Sequence, residues 1–487
     1  MRIYRKEGDE VQLIAFPDEQ VQKGDYFLIE DPGVSRGLLV QVIDLQYANV
    51  PGVLEDILRD VMTDGELAGE DIDPLNISSE VDALKDTRLA VCKVRGTIAE
   101  DGSLSPSTSW LPSRTSSRIR PYQITGLITN GGKRPLKIGH NDGESVQIDA
   151  TGLDGGLNII TGRKGTGKSH LAKLLLLSMA GFGAPCIVLD VNGEYVNLHK
   201  SKDGRQSSAR LTVLGVRSGL NFSTAKLGLR TVSGVLSHAL DLPATSSKVF
   251  TTIWRELESR GEVTLPNLIS TVQSWSCHES VREALVSRLQ VLLESSLFTD
   301  ESNPLTEERI LHAIEGGGVL VVNLKNQSQT VRRMIVEIFL GELTKILSSN
   351  WLKAAFLFAE EAHLYLRDTY WDDIVTRMRH IGLFTTFITN QPDTVQETIY
   401  RQADNIFIFN FTTEHDLEAI GKVAKADSET IRYLVRGIPT RRCLLLGNVV
   451  RDLPLMVDVE ALDVRTMGET RLFFSLSLYH RWSKVQK

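Results

Sequence analysis

The chain has 487 residues, more than one ordinary core accommodates, so two or three domains are expected. Hydrophobic residues make up 42% and charged residues 24%, the balance of a folded globular protein rather than of a disordered chain. Fifty-four basic residues against 61 acidic ones leave a net charge of −7, so contact with a polyanion has to come from local basic patches.

The opening stretch "MRIYRKEGDE" has no apolar leader region, and no run approaches the roughly 18 apolar residues of a membrane span, so neither secretion nor a membrane is expected. Cys92, Cys186, Cys277 and Cys443 are scattered, with no CxxC pair and no His at metal spacing. That argues against a disulfide framework or zinc site and fits a reducing cytoplasm.

Residues 1–140 read as β-rich. "VQKGDYFLIED", "GLLVQVIDLQY" and "LAVCKVRGTI" are short strands of β-branched and aromatic residues, broken by "DPGVSRG", as in a small β-barrel. Between Glu55 and Asp86 stand eleven acidic residues against Arg59 and Lys85, which reads as a solvated helical insertion or a partner-docking surface. Residues 102–141 hold no acid but carry Arg114, Arg118, Arg120, Lys133, Arg134 and Lys137, the pattern of a linker with a basic face. From 141 to 224 strands and helices alternate, "LNIITG" then "SHLAKLLLLSMA" then "CIVLDV", which predicts a parallel sheet. Residues 225–315 show helical spacing, as in "SVREALVSRLQVLLESSL", and read as an all-α insertion. The sheet resumes over 316–460 with "GVLVVNL", "AAFLFAEE", "LFTTFITN", "NIFIFNF" and "RCLLLGNVV". An aromatic, basic tail fills 461–487, and its Phe473, Phe474, Tyr479 and Trp482 suit contact with a neighbouring subunit.

Three motifs carry chemistry. Gly162-Arg163-Lys164-Gly165-Thr166-Gly167-Lys168-Ser169 matches G-x-x-x-x-G-K-[ST] between a strand and a helix, the context that motif needs. Backbone N–H groups of Gly162 through His170 wrap phosphate oxygens, Lys168 reaches the terminal phosphates, and the Ser169 hydroxyl is placed for Mg²⁺. "AAFLFAEEAHLYL" is a strand ending in two acids: Glu360 on the metal side through its hydration shell, Glu361 to polarise the attacking water. "LFTTFITNQPD" ends in Thr389, Asn390 and Gln391, and a polar amide there, Gln391 in the first place, can sense the terminal phosphate. No NKxD guanine signature and no LSGGQ-like transporter signature is present, so ATP with Mg²⁺ is the expected ligand.

These residues together resemble the HerA family, in the HerA/FtsK branch of P-loop ATPases, over nearly the whole length. The resemblance rests on "KGDYFLIED", "VQIDATGLDGGLNIITGRKGTGKSH", "VLDVNGEY", "FAEEAH", "RMRHIGLF" and "ITNQPD". It implies an α/β, RecA-like P-loop ATPase core with an N-terminal small β-barrel and an all-α insertion, acting as a hexameric double-stranded DNA translocase. It further implies work beside a nuclease of the NurA type in end processing or anti-phage defence. The alternative is an ATP-gated hexameric scaffold for a sirtuin-like or nuclease effector. Arg379 aligns with the arginine that the family places ahead of the sensor strand. The family's Gln-Arg-Pro is here Gln391-Pro392, and Asn405 stands where relatives put an Arg, with Arg401 nearby. Arg332, Arg333, Arg367, Tyr370 and Trp371 are the candidates for DNA contact, unless they serve surface or core packing.

Overall fold

The computed structural model describes residues 1–47, 86–106, 110–129, 132–200, 210–216, 218–299, 304–364, 379–422 and 426–464. The acidic stretch up to residue 85, the residues Arg367, Tyr370 and Trp371, and the tail from 465 lie outside them. The chain forms two units, one of Met1–Gly152, Gly162–Gly167 and Asn405–Val459, the other of Leu153–Thr161, Lys168–Asp404 and Glu460–Lys487.

The first unit begins with β1 (Arg2–Glu7), β2 (Glu10–Ala15), β3 (Tyr26–Glu30), β4 (Arg36–Tyr47), β5 (Arg88–Ala99), β6 (Leu104–Ser105) and β7 (Arg118–Pro121). They pair in the order β1-β2-β5-β4-β3-β7, with β6 on β5, and every pairing is antiparallel. In β2 buried and half-buried residues alternate strictly, so Val11, Leu13 and Ala15 enter the core beside Phe27, Ile29, Leu38 and Val40. The basic stretch 102–141 carries β7, where Arg120 forms a two-pronged ion pair with Glu30 at 3.0 Å, and also β8 (Pro135–Asn141), which pairs with β9 (Glu144–Asp149).

The second unit holds β10 (Leu157–Thr161), β11 (Cys186–Asp190), β12 (Leu211–Val216), β13 (Gly219–Leu220), β14 (Val319–Asn323), β15 (Ala355–Glu360) and β16 (Leu383–Thr389). Their order is β13-β12-β14-β11-β15-β16-β10, parallel throughout. β10 and β11 are buried at every residue, as strands covered by helices on both faces must be, which is why they are apolar apart from Asn158, Thr161 and Asp190. Helices Thr224–Gly234, Ala244–Arg260, Leu265–Ser274, Glu279–Glu294 and Glu307–Ile314 fill the segment between β13 and β14 and bury Phe250 and Trp254 completely. Side-chain oxygens start two of the unit's helices: Thr264 accepts from Asn267 N, and Ser328 accepts from Val331 N ahead of helix Gln329–Ser348.

The chain returns to the first unit with β17 (Asn405–Ile408), β18 (Arg442–Gly447) and β19 (Leu455–Val459). β17–β18, β18–β19 and β19–β8 are antiparallel, so parallel pairing holds in the second unit and not here. The link between β18 and β19 is too short for the crossover that parallel strands need. No helix among the described residues is long and apolar enough to cross a membrane.

Phe358, at the middle of β15, is wholly buried. Phe358→Ala should lower the unfolding free energy by about 3–5 kcal/mol in urea denaturation, because truncation loses transfer energy and leaves a cavity. A change below about 1 kcal/mol would mean that this strand is not core.

Candidate active site

Gly162–Gly167 follow the buried strand β10, and helix Lys168–Gly181 follows them. Gly162 has φ +152° and Gly165 φ +80°, and a Cβ on Gly162 would stand 2.4 Å from the Phe409 Cβ, so only glycine lets the backbone pass there. Within the first unit the loop is tied down by Arg163 N to Asn410 O (3.1 Å), Thr166 Oγ1 to Arg163 O (2.7 Å) and Arg441 N to Thr166 O (2.8 Å). Arg163 also donates to Thr412 Oγ1 at 3.2 Å and, with Lys164, is exposed. His170 lies on the following helix, its Nε2 2.7 Å from Glu460 O in the second unit. A helix N-terminus behind a curled glycine-rich loop gathers N–H donors and a positive dipole end, the requirements for phosphate.

The second unit supplies the charged groups. Lys168 is 6% exposed, and burial pulls its ammonium below the usual lysine range against the attraction of Glu361, Glu360 and Glu194. Glu360 ends β15 at 1% exposure. It accepts from the Tyr195 hydroxyl at 2.8 Å, from Asn192 Nδ2 at 3.5 Å and from the Ser169 hydroxyl. Burial, then repulsion from Glu194, push its pKa up to about 7, with the Ser169 and Tyr195 hydrogen bonds opposing. Glu361 takes φ +46°, a left-handed kink rare for a carboxylate, which turns the chain directly after the strand. Its Oε1 accepts from Asn390 Nδ2 at 3.3 Å, and its Oε2 lies 3.5 Å from His363 Nδ1. That ring nitrogen is also 3.2 Å from Thr389 Oγ1. Burial lowers the His363 pKa, Asp393 opposes and Lys168 adds to the lowering.

Ser169 and Glu360 present a hydroxyl and a carboxylate to one another, an all-oxygen donor pair. No group of three or more His, Cys, Asp or Glu able to hold a metal occurs among the described residues. Two protein oxygens suit Mg²⁺, which keeps waters and phosphate oxygens in its shell, better than zinc or calcium.

Lys168, Ser169, Glu360 and Glu361 thus converge. Gln391 is exposed, and its backbone carbonyl accepts from the Thr389 and Thr394 hydroxyls at 3.2 and 2.7 Å, so the amide on Glu361 is Asn390. Arg379 is half-exposed, its Nη1 3.5 Å from Asp404 Oδ2, while Arg401 pairs with Glu397 on the surface. Asn405 is wholly buried, donating to Gly152 O and accepting from Val449 N at 2.9 Å each, a structural tie where relatives place an Arg. Arg332 and Arg333 are half-buried in the first turn of helix Gln329–Ser348, and Arg332 Nε donates to Leu324 O at 3.3 Å. Sequence reasoning assigned no role to Tyr195, Asn192 or Lys173, although "DVNGEY" marked the place of the first two.

A phosphate loop opening a helix on a parallel sheet, with acids ending another strand of that sheet, defines a P-loop ATPase with a RecA-like core. Residues 137–343 match the family described as "Helicase HerA, central domain". A probable helicase of Methanocaldococcus jannaschii is 23% identical, over 98% of this chain and 92% of its own. VirB4 of Thermoanaerobacter pseudethanolicus has a similar structure (TM-score 0.52, 17% identity, 69% of this chain and 98% of that one). So does the plasmid coupling protein TrwB in complex with ADP and Mg²⁺ (TM-score 0.54, 14% identity, 70% of this chain and 93% of that one). The chain is thus an ATPase whose residues 137–343 are similar to the HerA central domain.

Lys168→Ala should abolish most binding of a fluorescent ATP analogue. Glu361→Gln should leave binding within a few-fold of wild type and lower hydrolysis by roughly 10²–10⁴-fold, the usual contribution of a general base. Equal loss of binding in both variants would contradict the division of roles.

Proposed function

We propose that the chain is an ATP-dependent double-stranded DNA translocase that works as a homohexameric ring and feeds a nuclease partner, in DNA end processing or anti-phage defence. The observation that carries this reading is the convergence of Lys168, Ser169, Glu360 and Glu361 in a chain matched over residues 137–343 by a helicase family. The M. jannaschii relative, itself described as a probable helicase, supports it.

In this reading Gly162–His170 wrap the ATP phosphates, with Lys168 against the terminal pair. Ser169, and Glu360 through the ion's hydration shell, would hold Mg²⁺, which would neutralise charge on the terminal phosphates. Glu361 accepts the proton of the attacking water while Asn390 fixes its carboxylate. Sites of this kind gain from a cation donated across a subunit boundary, which favours a closed ring. Arg379 is the proposed donor and Arg401 the reserve. Both have exposed side chains engaged only by carboxylates in the contacts described above, and such weak surface pairs are readily exchanged. Repetition of a few basic residues around one channel reconciles DNA binding with the net charge of −7.

The test is ATP turnover by the assembled protein with and without linear duplex DNA, together with its native mass. A mass close to six chains and a severalfold stimulation that fades steeply with salt are expected, because phosphate contacts release counterions. Turnover indifferent to DNA would instead favour the ATP-gated scaffold.

A further inference from the structure

The turn after β11 is built with unusual care. Asp190 is wholly buried and accepts three backbone N–H groups: Gly193 (2.8 Å) and Glu194 (2.9 Å) on Oδ1, and Tyr195 (2.9 Å) on Oδ2. Gly193 takes φ +72°, which lets the chain close around that carboxylate. One buried side chain therefore sets the backbone direction of residues 193–195. The next two side chains are gripped from helix Lys168–Gly181. Lys173, itself buried, pairs with Glu194 at 2.9 Å and places its ammonium 5.1 Å from the centre of the Tyr195 ring. Tyr195 has no exposed surface, and the one polar atom of its side chain ends 2.8 Å from Glu360 Oε1.

We infer that Tyr195 is a positioning residue for ATP hydrolysis, and that the Asp190–Tyr195 turn is a rigid bracket whose purpose is to hold the Glu360 carboxylate in the orientation that receives Mg²⁺. The inference rests on the assignment of Glu360 to the metal side. The bracket has its own mechanical logic. A carboxylate at a strand end has free torsions, and each disordered rotamer weakens a cation site that has few protein ligands. A phenol clamped at ring and backbone removes that freedom at Oε1, while Asn192 at Oε2, Ser169 and the metal shell meet the rest of the carboxylate. The element also joins the helix that carries Lys168 and Ser169 to the strand that carries the acids, through Lys173 and Tyr195 respectively.

A tyrosine that merely satisfied a core hydroxyl would alter stability and nothing else. The distinguishing readout is equilibrium binding of a fluorescent ATP analogue to the full chain, titrated with Mg²⁺, with thermal unfolding measured in parallel. Tyr195→Phe keeps the ring packing and should raise the Mg²⁺ concentration for half-maximal binding about tenfold, the effect of one lost hydrogen bond to a charged group. Glu360→Gln should raise it too, and Tyr195→Phe should add nothing in the Glu360→Gln background, because both act through one carboxylate. A shift in Glu360→Gln without one in Tyr195→Phe, or additive shifts, overturns the inference and leaves the role of Glu360 standing. No shift in Glu360→Gln refutes the metal-side assignment itself. Should Tyr195→Phe fail to fold, Asp190→Asn keeps the size and loosens the turn. It should move the Mg²⁺ dependence a few-fold in the same direction, and an unchanged dependence would count against the bracket.

Discussion

The Glu360 carboxylate is buried at the end of β15, and an ionisable group removed from water is tolerable only if it is well hydrogen-bonded or paired. Much of the second unit's architecture answers that constraint. β11 and β15 are parallel neighbours, with Leu189 beside Ala359, so Asp190 and Glu360 emerge at the same edge of the sheet. The crevice outside the carboxyl ends of parallel strands is where such sheets collect their ligands. Tyr195 and Ser169 meet Glu360 from two sides, and the buried Lys168 and Lys173 set positive charge against Glu360, Glu361 and Glu194. The Ser169 hydroxyl and the Glu360 carboxylate hold one another by a hydrogen bond, and both are oxygens that suit a hydrated divalent cation.

What the sequence made legible is what is local in it. The phosphate loop is eight contiguous residues between an apolar strand and a helix, so its place and role follow from spacing alone. Glu360 and Glu361 stand out because acids close a run that is otherwise apolar. Alternation of strand and helix likewise pointed to the parallel sheet of the second unit, and the resemblance of the motifs to a RecA-like core. The tie between Tyr195 and Glu360 spans 165 residues, and nothing near either residue names the other. Asn390 rather than Gln391 faces Glu361 because of where β16 ends, and one residue of register at a strand terminus reverses which amide points inward. "NIFIFNF" and "RCLLLGNVV" reveal burial but not direction, since a buried antiparallel strand is as apolar as a parallel one.

Asn405 shows how a departure from a family pattern is absorbed. An arginine at this wholly buried position would be a charge without solvent, whereas the asparagine amide joins Gly152 to Val449. In the proposed ring the cation for a neighbour's nucleotide would come from elsewhere, and Arg379, half-exposed just before β16, lies 3.5 Å from Asp404. Its partner Asp404 also accepts from Leu157 N at the start of β10, so movement of this arginine and the strand leading to the phosphate loop share one carboxylate.

The central claim is that turnover on this cluster moves duplex DNA. Displacement of a triplex-forming strand from linear duplex DNA measures movement along the duplex directly. Displacement by the assembled wild-type protein with ATP, none with a non-hydrolysable analogue and none with Lys168→Ala, is the predicted result. Vigorous ATP hydrolysis on the same DNA with no strand displaced would contradict it.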